Sequence, residues 1–348
     1  MSDGSEAPSD GSKGADQKTV AVLGAGSWGT ALAHHLARVG HRTILWGRDP
    51  ELLRVIGAEH RNPRYFPDLP LSPEITVEAD ILKAVRDADA VVFAVPSGVL
   101  HEVLKNAKPN LRADAILVST AKGLEDQTLQ PMSAVLRGEL GDHAQIAVLS
   151  GPSFAREVIL GLPTAVTIAA RSLETASAAA AFFHIDYFRV YTSRDVVGVE
   201  FGGIVKNVIA LACGVVEGVG MGANARAALI TRGLLEMQRI TLALGGEAVT
   251  VTGLSGLGDL LLTATGDLSR NRQVGLRLGK GEKLTDIVSH LGQVAEAVRV
   301  TPKVAELARR HNVKAPIIEE VDRILSGQSS AAESVRKLLS RAPVLEAS

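Results

Sequence analysis

The 348-residue sequence contains a single cysteine, Cys213. One thiol excludes an intramolecular disulfide, and no cysteine–histidine spacing resembles a zinc site, so no metal is expected. Cys213 lies in an apolar stretch and reads as a small core residue in a chain suited to a reducing cytoplasm. Neither sign of charge is in excess: 37 Lys and Arg stand against 38 Asp and Glu, a formal net charge of −1. There is therefore no electrostatic case for nucleic acid as a partner. Uninterrupted apolar runs fall well short of the roughly 20 residues a membrane-spanning helix needs, so no membrane span is expected. Residues 1–17 lack the apolar core of a signal peptide, and their polar composition predicts a disordered tail. The chain is 46% apolar and long enough for two domains with substantial cores.

Against that ordinary background stands Val199-Glu-Phe-Gly-Gly-Ile-Val-Lys-Asn-Val-Ile-Ala-Leu-Ala-Cys-Gly214. Apart from Glu200, Lys206 and Asn207 it is apolar or glycine, so as a helix it would be buried nearly all round. The helical neighbours of Lys206 are Gly202 and Gly203 on one side, Ile209 and Ala210 on the other. Two glycines weaken a helix by roughly 1 kcal/mol each relative to alanine. What they provide is bare backbone beside the ammonium, room for a second element or a small molecule. Glu200 lies six positions back, on another face, and is no local partner. Lysine stems usually run along apolar surface to water. Here the apolar flanks and the glycine face point instead to a charge held in a site.

The amino-terminal half alternates strands and helices. Thr19-Val-Ala-Val-Leu-Gly24 reads as a buried strand, and Gly24-Ala-Gly26-Ser-Trp-Gly29 leads into a helix that stops at Gly40. Arg42-Thr-Ile-Leu-Trp46 is the next strand. Strand, G-x-G-x-x-G, helix and strand in one unit of about 30 residues is the context of a dinucleotide site. Gly24 permits the tight turn, Gly26 lets a pyrophosphate approach the backbone, and Gly29 lets the helix pack close to the sheet. The second strand ends Trp46-Gly-Arg48-Asp49, with arginine where NAD-specific sites carry an acid. Arginine suits a 2′-phosphate and also stacks on adenine, which favours NADPH and leaves NADH open. Asp49 fits an N-cap before Pro50. Residues 61–73, rich in proline, are expected to form an irregular loop.

Further strands are expected at 90–95, 115–120, 146–150, 164–168 and 188–192, after which strand patterns stop. The division follows: tail 1–17, dinucleotide-binding domain 18–194, α-helical substrate domain 195–340. Ligands in open α/β sheets bind beyond the carboxyl ends of strands. Lys122 and Gly151 fall there, although Gly151-Pro152 would serve equally as a helix cap and first turn. In the second half, Gly253-Leu-Ser-Gly-Leu-Gly-Asp259 follows no βαβ strand, so its glycines suggest close helix packing that delivers Asp259. Ser269 is a good N-cap, and Arg270 and Asn271 after it make a natural phosphate seat. Cations in a first turn oppose the helix dipole, which is itself a reason to expect an anion.

These motifs, with Val95-Pro-Ser, Ala121-Lys-Gly, Ser150-Gly-Pro-Ser-Phe-Ala and Asn224-Ala-Arg-Ala-Ala-Leu-Ile-Thr-Arg-Gly, together resemble bacterial NAD(P)-dependent glycerol-3-phosphate dehydrogenase over roughly residues 18–340. The resemblance implies a Rossmann-type α/β domain followed by an all-α domain. It also implies interconversion of sn-glycerol 3-phosphate and dihydroxyacetone phosphate by a cytoplasmic homodimer that supplies phospholipid synthesis. By matching motifs it makes Lys206 the acid/base and places Lys122, Gly151, Ser153, Asn207, Asp259, Ser269, Arg270 and Asn271 at the substrate. It places Ser27, Trp28, Arg48, Lys122, Ala155, Arg270, Val294 and Glu296 at the cofactor, beside Gly24, Gly26 and Gly29. The 292–297 stretch departs from the family pattern in carrying Ala295 and Ala297. The alternatives are a hydroxy-acid or ketopantoate dehydrogenase of the same plan and a non-catalytic NADP(H) sensor. A hydroxy acid needs no phosphate seat, and a sensor needs no acid/base group.

Overall fold

The computed structural model describes residues 17–291 and 295–340, so the expected tail falls, but for Gln17, outside the described residues. The strands run β1 (Thr19–Leu23), β2 (Arg42–Trp46), β3 (Arg61–Asn62), β4 (Phe66–Pro70), β5 (Ile75–Glu78), β6 (Ala90–Phe93), β7 (Ile116–Ser119), β8 (Gln145–Ser150), β9 (Thr164–Ala170) and β10 (Phe188–Ser193). Eight of them form one sheet in the order β10-β9-β8-β7-β6-β1-β2-β5. Val20 and Val22 face one core while Ala21 and Leu23 face the other, all fully buried. An apolar run without alternation is what a strand covered by helices on both faces requires. Leu23 pairs with Trp46 on β2 and with Phe93 on β6, so these three strands end level. The strand order reverses between β1 and β6, which opens a crevice at their carboxyl ends.

Three features differ from expectation or were unforeseen. Part of the proline-rich 61–73 stretch is ordered as an antiparallel β3–β4 ribbon. Proline is tolerated there because a two-stranded ribbon leaves an unpaired edge on each strand. β5 extends the sheet at its far edge; its Ile-Thr-Val-Glu alternates apolar and polar residues, but four residues are too few to fix a strand by period. β9 runs antiparallel to β8 and carries β10 with it, in a sheet whose other pairs are parallel.

From Val196 onward every element among the described residues is a helix. The central helix, Val196–Gly218, starts at Asp195, whose carboxylate accepts the Gly198 amide at 2.7 Å. Its residues from Gly198 to Val216 are all buried. It packs backbone to backbone on helix Arg270–Gly279: a Cβ on Gly275 would lie 2.0 Å from the Leu211 carbonyl oxygen, and one on Gly214 2.1 Å from that of Arg272. Two helical stretches, Val196–Gly218 and Ala248–Thr265, are long and apolar enough to cross a membrane by length and composition. The first is the core of the helical part, with 89% of its apolar window buried inside the protein.

Candidate active site

At the crevice, Gly24 has φ +126°, and a Cβ there would lie 2.7 Å from the Ala94 carbonyl oxygen. A Cβ on Gly29 would lie 1.8 Å from the Gly24 oxygen, so the first turn of helix Ser27–Val39 rests on the strand–helix turn itself. Gly26 is the N-cap of that helix, with no side-chain cap, and nothing lies within 4 Å of where its Cβ would be. Free N–H groups beside open space suit a phosphate anion. Ser27 opens the helix and Trp28 packs half-buried on the sheet core. Arg48 is exposed just past β2, whose Trp46 carbonyl accepts the Gly24 amide at 2.8 Å. Asp49 caps helix Pro50–Glu59, accepting the Leu52 amide at 3.1 Å, and binds Arg64 at 2.7 Å.

The Gly151 loop leaves β8 with φ +146°, and the next helix starts only at Ala155, so Gly151-Pro152 is neither cap nor first turn. Ser153 donates its hydroxyl to the Gly151 carbonyl at 3.1 Å. Ser150 ends β8 with its hydroxyl buried, without a hydrogen-bond partner, against bare Gly203. The other glycine beside the lysine, Gly202, receives Ser255, whose carbonyl oxygen lies 3.0 Å from the position of a Cβ. That contact seats a π-helical turn, Leu254–Gly258, which delivers Asp259 as the first residue of helix Asp259–Thr265. π turns of this kind recur at functional sites.

Asp259 is the centre of the cluster. Lys206 Nζ donates to its Oδ1 at 2.9 Å and Lys122 Nζ to its Oδ2 at 2.5 Å. Lys206 also donates to Thr263 Oγ1 at 2.6 Å, and the Thr263 hydroxyl donates to the Asp259 backbone carbonyl at 2.6 Å. Lys206 and Asp259 are 5% and 2% exposed, whereas Lys122 reaches in from the end of β7, half-buried. Burial pushes the Lys206 ammonium down to about 8; Asp259 opposes that shift and the Lys122 charge adds to it. Burial pushes the Asp259 carboxyl up, but the two ammonium groups outweigh it and hold it below the ordinary carboxylate range. Burial raises Glu296, against the pull of Arg299, Arg270, Lys122 and Lys206. Four cations thus face two carboxylates, an excess of positive charge that favours an anionic ligand.

Ser269 caps helix Arg270–Gly279 by accepting the Arg272 amide at 3.2 Å, and Arg270 stands exposed in its first turn. Arg272 points away, bound to Glu217 at 3.0 Å and Asp267 at 3.2 Å. Asn271 donates to Asn207 Oδ1 at 2.8 Å and accepts the Ala297 amide at 3.0 Å, tying three helices together. Asn207 donates to the Gly203 carbonyl at 3.4 Å. Glu296 opens helix Glu296–Arg310 beside Gly123, and Ala155 opens helix Ala155–Ile159. Val294 lies outside the described residues.

Two family models cover nearly all of the described chain: NAD-dependent glycerol-3-phosphate dehydrogenase N-terminus at residues 19–176 and its C-terminus at 195–336. The chain belongs to the NAD(P)-dependent glycerol-3-phosphate dehydrogenase family. It is 48% identical to glycerol-3-phosphate dehydrogenase [NAD(P)+] of Syntrophotalea carbinolica over 92% of this chain and 97% of that one. The enzyme of the same name from Stenotrophomonas maltophilia is 46% identical, over 92% and 94%. The crystal structure of glycerol-3-phosphate dehydrogenase from Coxiella burnetii superposes with a TM-score of 0.89 at 40% identity, over 93% and 99% of the two chains. A ketopantoate reductase from Ralstonia eutropha shares the fold alone, with a TM-score of 0.57 at 18% identity over 89% and 99%. This glycerol-3-phosphate dehydrogenase is therefore an NAD(P)-dependent oxidoreductase with a Rossmann-type α/β part followed by a helical one.

Three residues of the dehydrogenase's site escaped sequence reasoning. Thr263 follows Asp259 by four positions on one helix, a spacing that would have flagged it. Asn62, fully buried in β3, donates to the Ala25 carbonyl at 3.3 Å and to Thr30 Oγ1 at 2.8 Å, bracing the glycine turn. Arg299 lies against Gly98, where a Cβ would come within 2.3 Å of its Nη2. Neither of these two carries a local signal, because each acts across a long gap in sequence.

Proposed function

We propose that the cluster reduces dihydroxyacetone phosphate to sn-glycerol 3-phosphate with Lys206 as the acid. The single observation that supports this most is Asp259 held between Lys206 and Lys122 in a buried site. The nicotinamide cofactor supplies a hydride to C2. Lys206 Nζ gives its proton to the C2 oxygen, and the ammonium stabilises the negative charge that develops there. Lys122 neutralises the same region from the sheet side. Gly151, Ser153, Asn207, Ser269, Arg270 and Asn271 bind the substrate, with Arg270 and the helix start after Ser269 gripping the phosphate. Gly24, Gly26, Ser27, Trp28 and Gly29 hold the cofactor pyrophosphate and its flanks, with Ala155, Arg270 and Glu296 at its other end. Arg48 favours NADPH over NADH. The working units are residues 18–194 and 195–340, in a cytoplasmic homodimer that feeds phospholipid synthesis.

The test is Lys206→Met, which keeps much of the stem volume but neither donates a proton nor carries charge. Turnover of dihydroxyacetone phosphate should fall about 10²–10⁴-fold while NADPH binding, followed by its fluorescence, is unchanged. An active Lys206→Met enzyme would remove the assignment.

A further inference from the structure

Glu200 sits on the central helix six residues before Lys206, about 9 Å along the axis, and is 2% exposed. Its carboxylate reaches out of the helical part. Oε1 accepts the Ser133 amide at 3.0 Å and Oε2 accepts the Ser133 hydroxyl at 2.5 Å. Ser133 lies in the first turn of helix Met132–Leu140, whose N-cap position is Pro131 and which has no side-chain cap of its own. Glu200 therefore caps a helix of the α/β part from the helical part, where exposed N–H groups stabilise an anion. Burial pushes this carboxyl up to about 7, so as a mere spacer it is inferior to an apolar side chain. What an acid adds is direction.

The segment it catches is the one that presents Lys122. Residues 120–131 run from β7 to helix Met132–Leu140, with Lys122 near the start and Ser133 just past the end. Leu124 bridges to Pro131, and the Glu125 amide donates to the Gln130 carbonyl at 2.9 Å, which closes the segment on itself. Leu124 and Leu129 are buried in the core of the helical part with Phe201 and Ile204. Lys303 donates to the Leu124 carbonyl at 2.6 Å. Lys122 at one end meets Asp259, the partner of Lys206, and Ser133 at the other meets Glu200. The central helix thus holds Ser133 directly, and Lys122 through the Asp259 that Lys206 binds.

We propose that Glu200 is a positioning residue for the reaction: by holding Ser133 it seats the 120–131 segment on the central helix and keeps Lys122 in register with Asp259 and Lys206. The inference rests on the roles given above to the two lysines. It separates a positioning function from simple adhesion between the two parts, because adhesion would affect stability and turnover together.

Glu200→Leu in the full-length enzyme keeps much of the side-chain volume and accepts neither Ser133 bond. Its kcat for dihydroxyacetone phosphate should fall about tenfold or more, with the NADPH Kd within about twofold of wild type and the Tm little changed, because an apolar side chain in place of a buried acid is often near neutral for stability. Ser133→Ala, which removes only the hydroxyl bond, should move kcat the same way by less, and carries the test if Glu200→Leu does not fold. In a Lys122→Met background, Glu200→Leu should cost almost nothing more, since residues acting through one another are not additive. The proposal is overturned by kcat within about twofold of wild type in both variants, or by kcat falling only in step with Tm and NADPH affinity. An equal loss with and without Lys122 overturns it as well. Full turnover in Lys122→Met alone would instead fail the assignment of that lysine, and is read from the single variant.

Discussion

Asp259 is the residue on which the two lysines depend, because its single negative charge is shared between them. Burial already lowers Lys206 to about 8, and Asp259 opposes that fall. In Asp259→Asn the opposition is lost while the Lys122 charge still lowers Lys206, so the ammonium loses its proton at lower pH. Ketone reduction needs the ammonium form, so kcat falls as pH rises through the Lys206 pKa. In Asp259→Asn that alkaline limb should move to lower pH, with a loss near pH 8 of about 10²-fold. A kcat–pH profile checks this, and an unmoved limb would mean that another group sets it. Lys206 and Asp259 were legible in the sequence because a lone charge in an apolar helix and an acid after a glycine-rich turn are both out of place locally. The bond between them was not legible, since it spans 53 positions. The same holds for Ser133 and Glu200, which are 67 positions apart.

Among elements, the strand–turn–helix around Gly24 was legible because its period, glycines and strand agree over one short stretch. β5 was too short to read, and the reversal of β9 leaves no local trace because strand direction is set by what each strand pairs with. The two glycines of the turn should part company on substitution. Gly26 has φ −76° and open space around a would-be Cβ, so Gly26→Ala should fold with stability within about 1 kcal/mol of wild type. Its methyl group enters the space left for the pyrophosphate, so NADPH affinity should drop about tenfold or more. Gly29→Ala instead drives a methyl to 1.8 Å from the Gly24 oxygen, so helix Ser27–Val39 must move off the sheet and folding itself should suffer. Thermal unfolding with and without NADPH separates the two outcomes. Equal destabilisation by both would show that the turn is merely tight rather than open to a ligand.

Across the whole molecule, burial shifts titratable groups in both parts, and the pH dependences that follow oppose one another. Glu200 and Glu236 are raised to about 7 by burial. Each therefore contributes most below about pH 4.5, the ordinary glutamate value, and that contribution is lost as pH rises through about 7. His34 and His35 are lowered from 6.5 to about 4, by burial first and with the Arg38 charge adding to it. A depressed histidine is fully favourable above 6.5 and loses that stability as pH falls toward 4. The geometry agrees with neutral rings: His35 Nε2 lies 2.7 Å from the Phe183 carbonyl oxygen, and His34 Nδ1 accepts the Ser72 amide at 2.9 Å. His35 joins helix Ser27–Val39 to helix Leu173–Phe183, so charging it loosens the contact between these two helices. A shift of this size on a fully buried ring is worth about 3 kcal/mol. His35→Gln retains an N–H for the Phe183 carbonyl and cannot be protonated. At pH 7 it should be the less stable protein, through lost ring packing on Phe188. Between pH 7 and pH 4 that deficit should shrink by up to about 3 kcal/mol, because only the wild type loses stability through this ring. Urea unfolding of both proteins at pH 7, 5.5 and 4 measures the difference directly. A constant deficit across the three would mean that His35 is charged in the folded state and that its environment is less apolar than its burial implies.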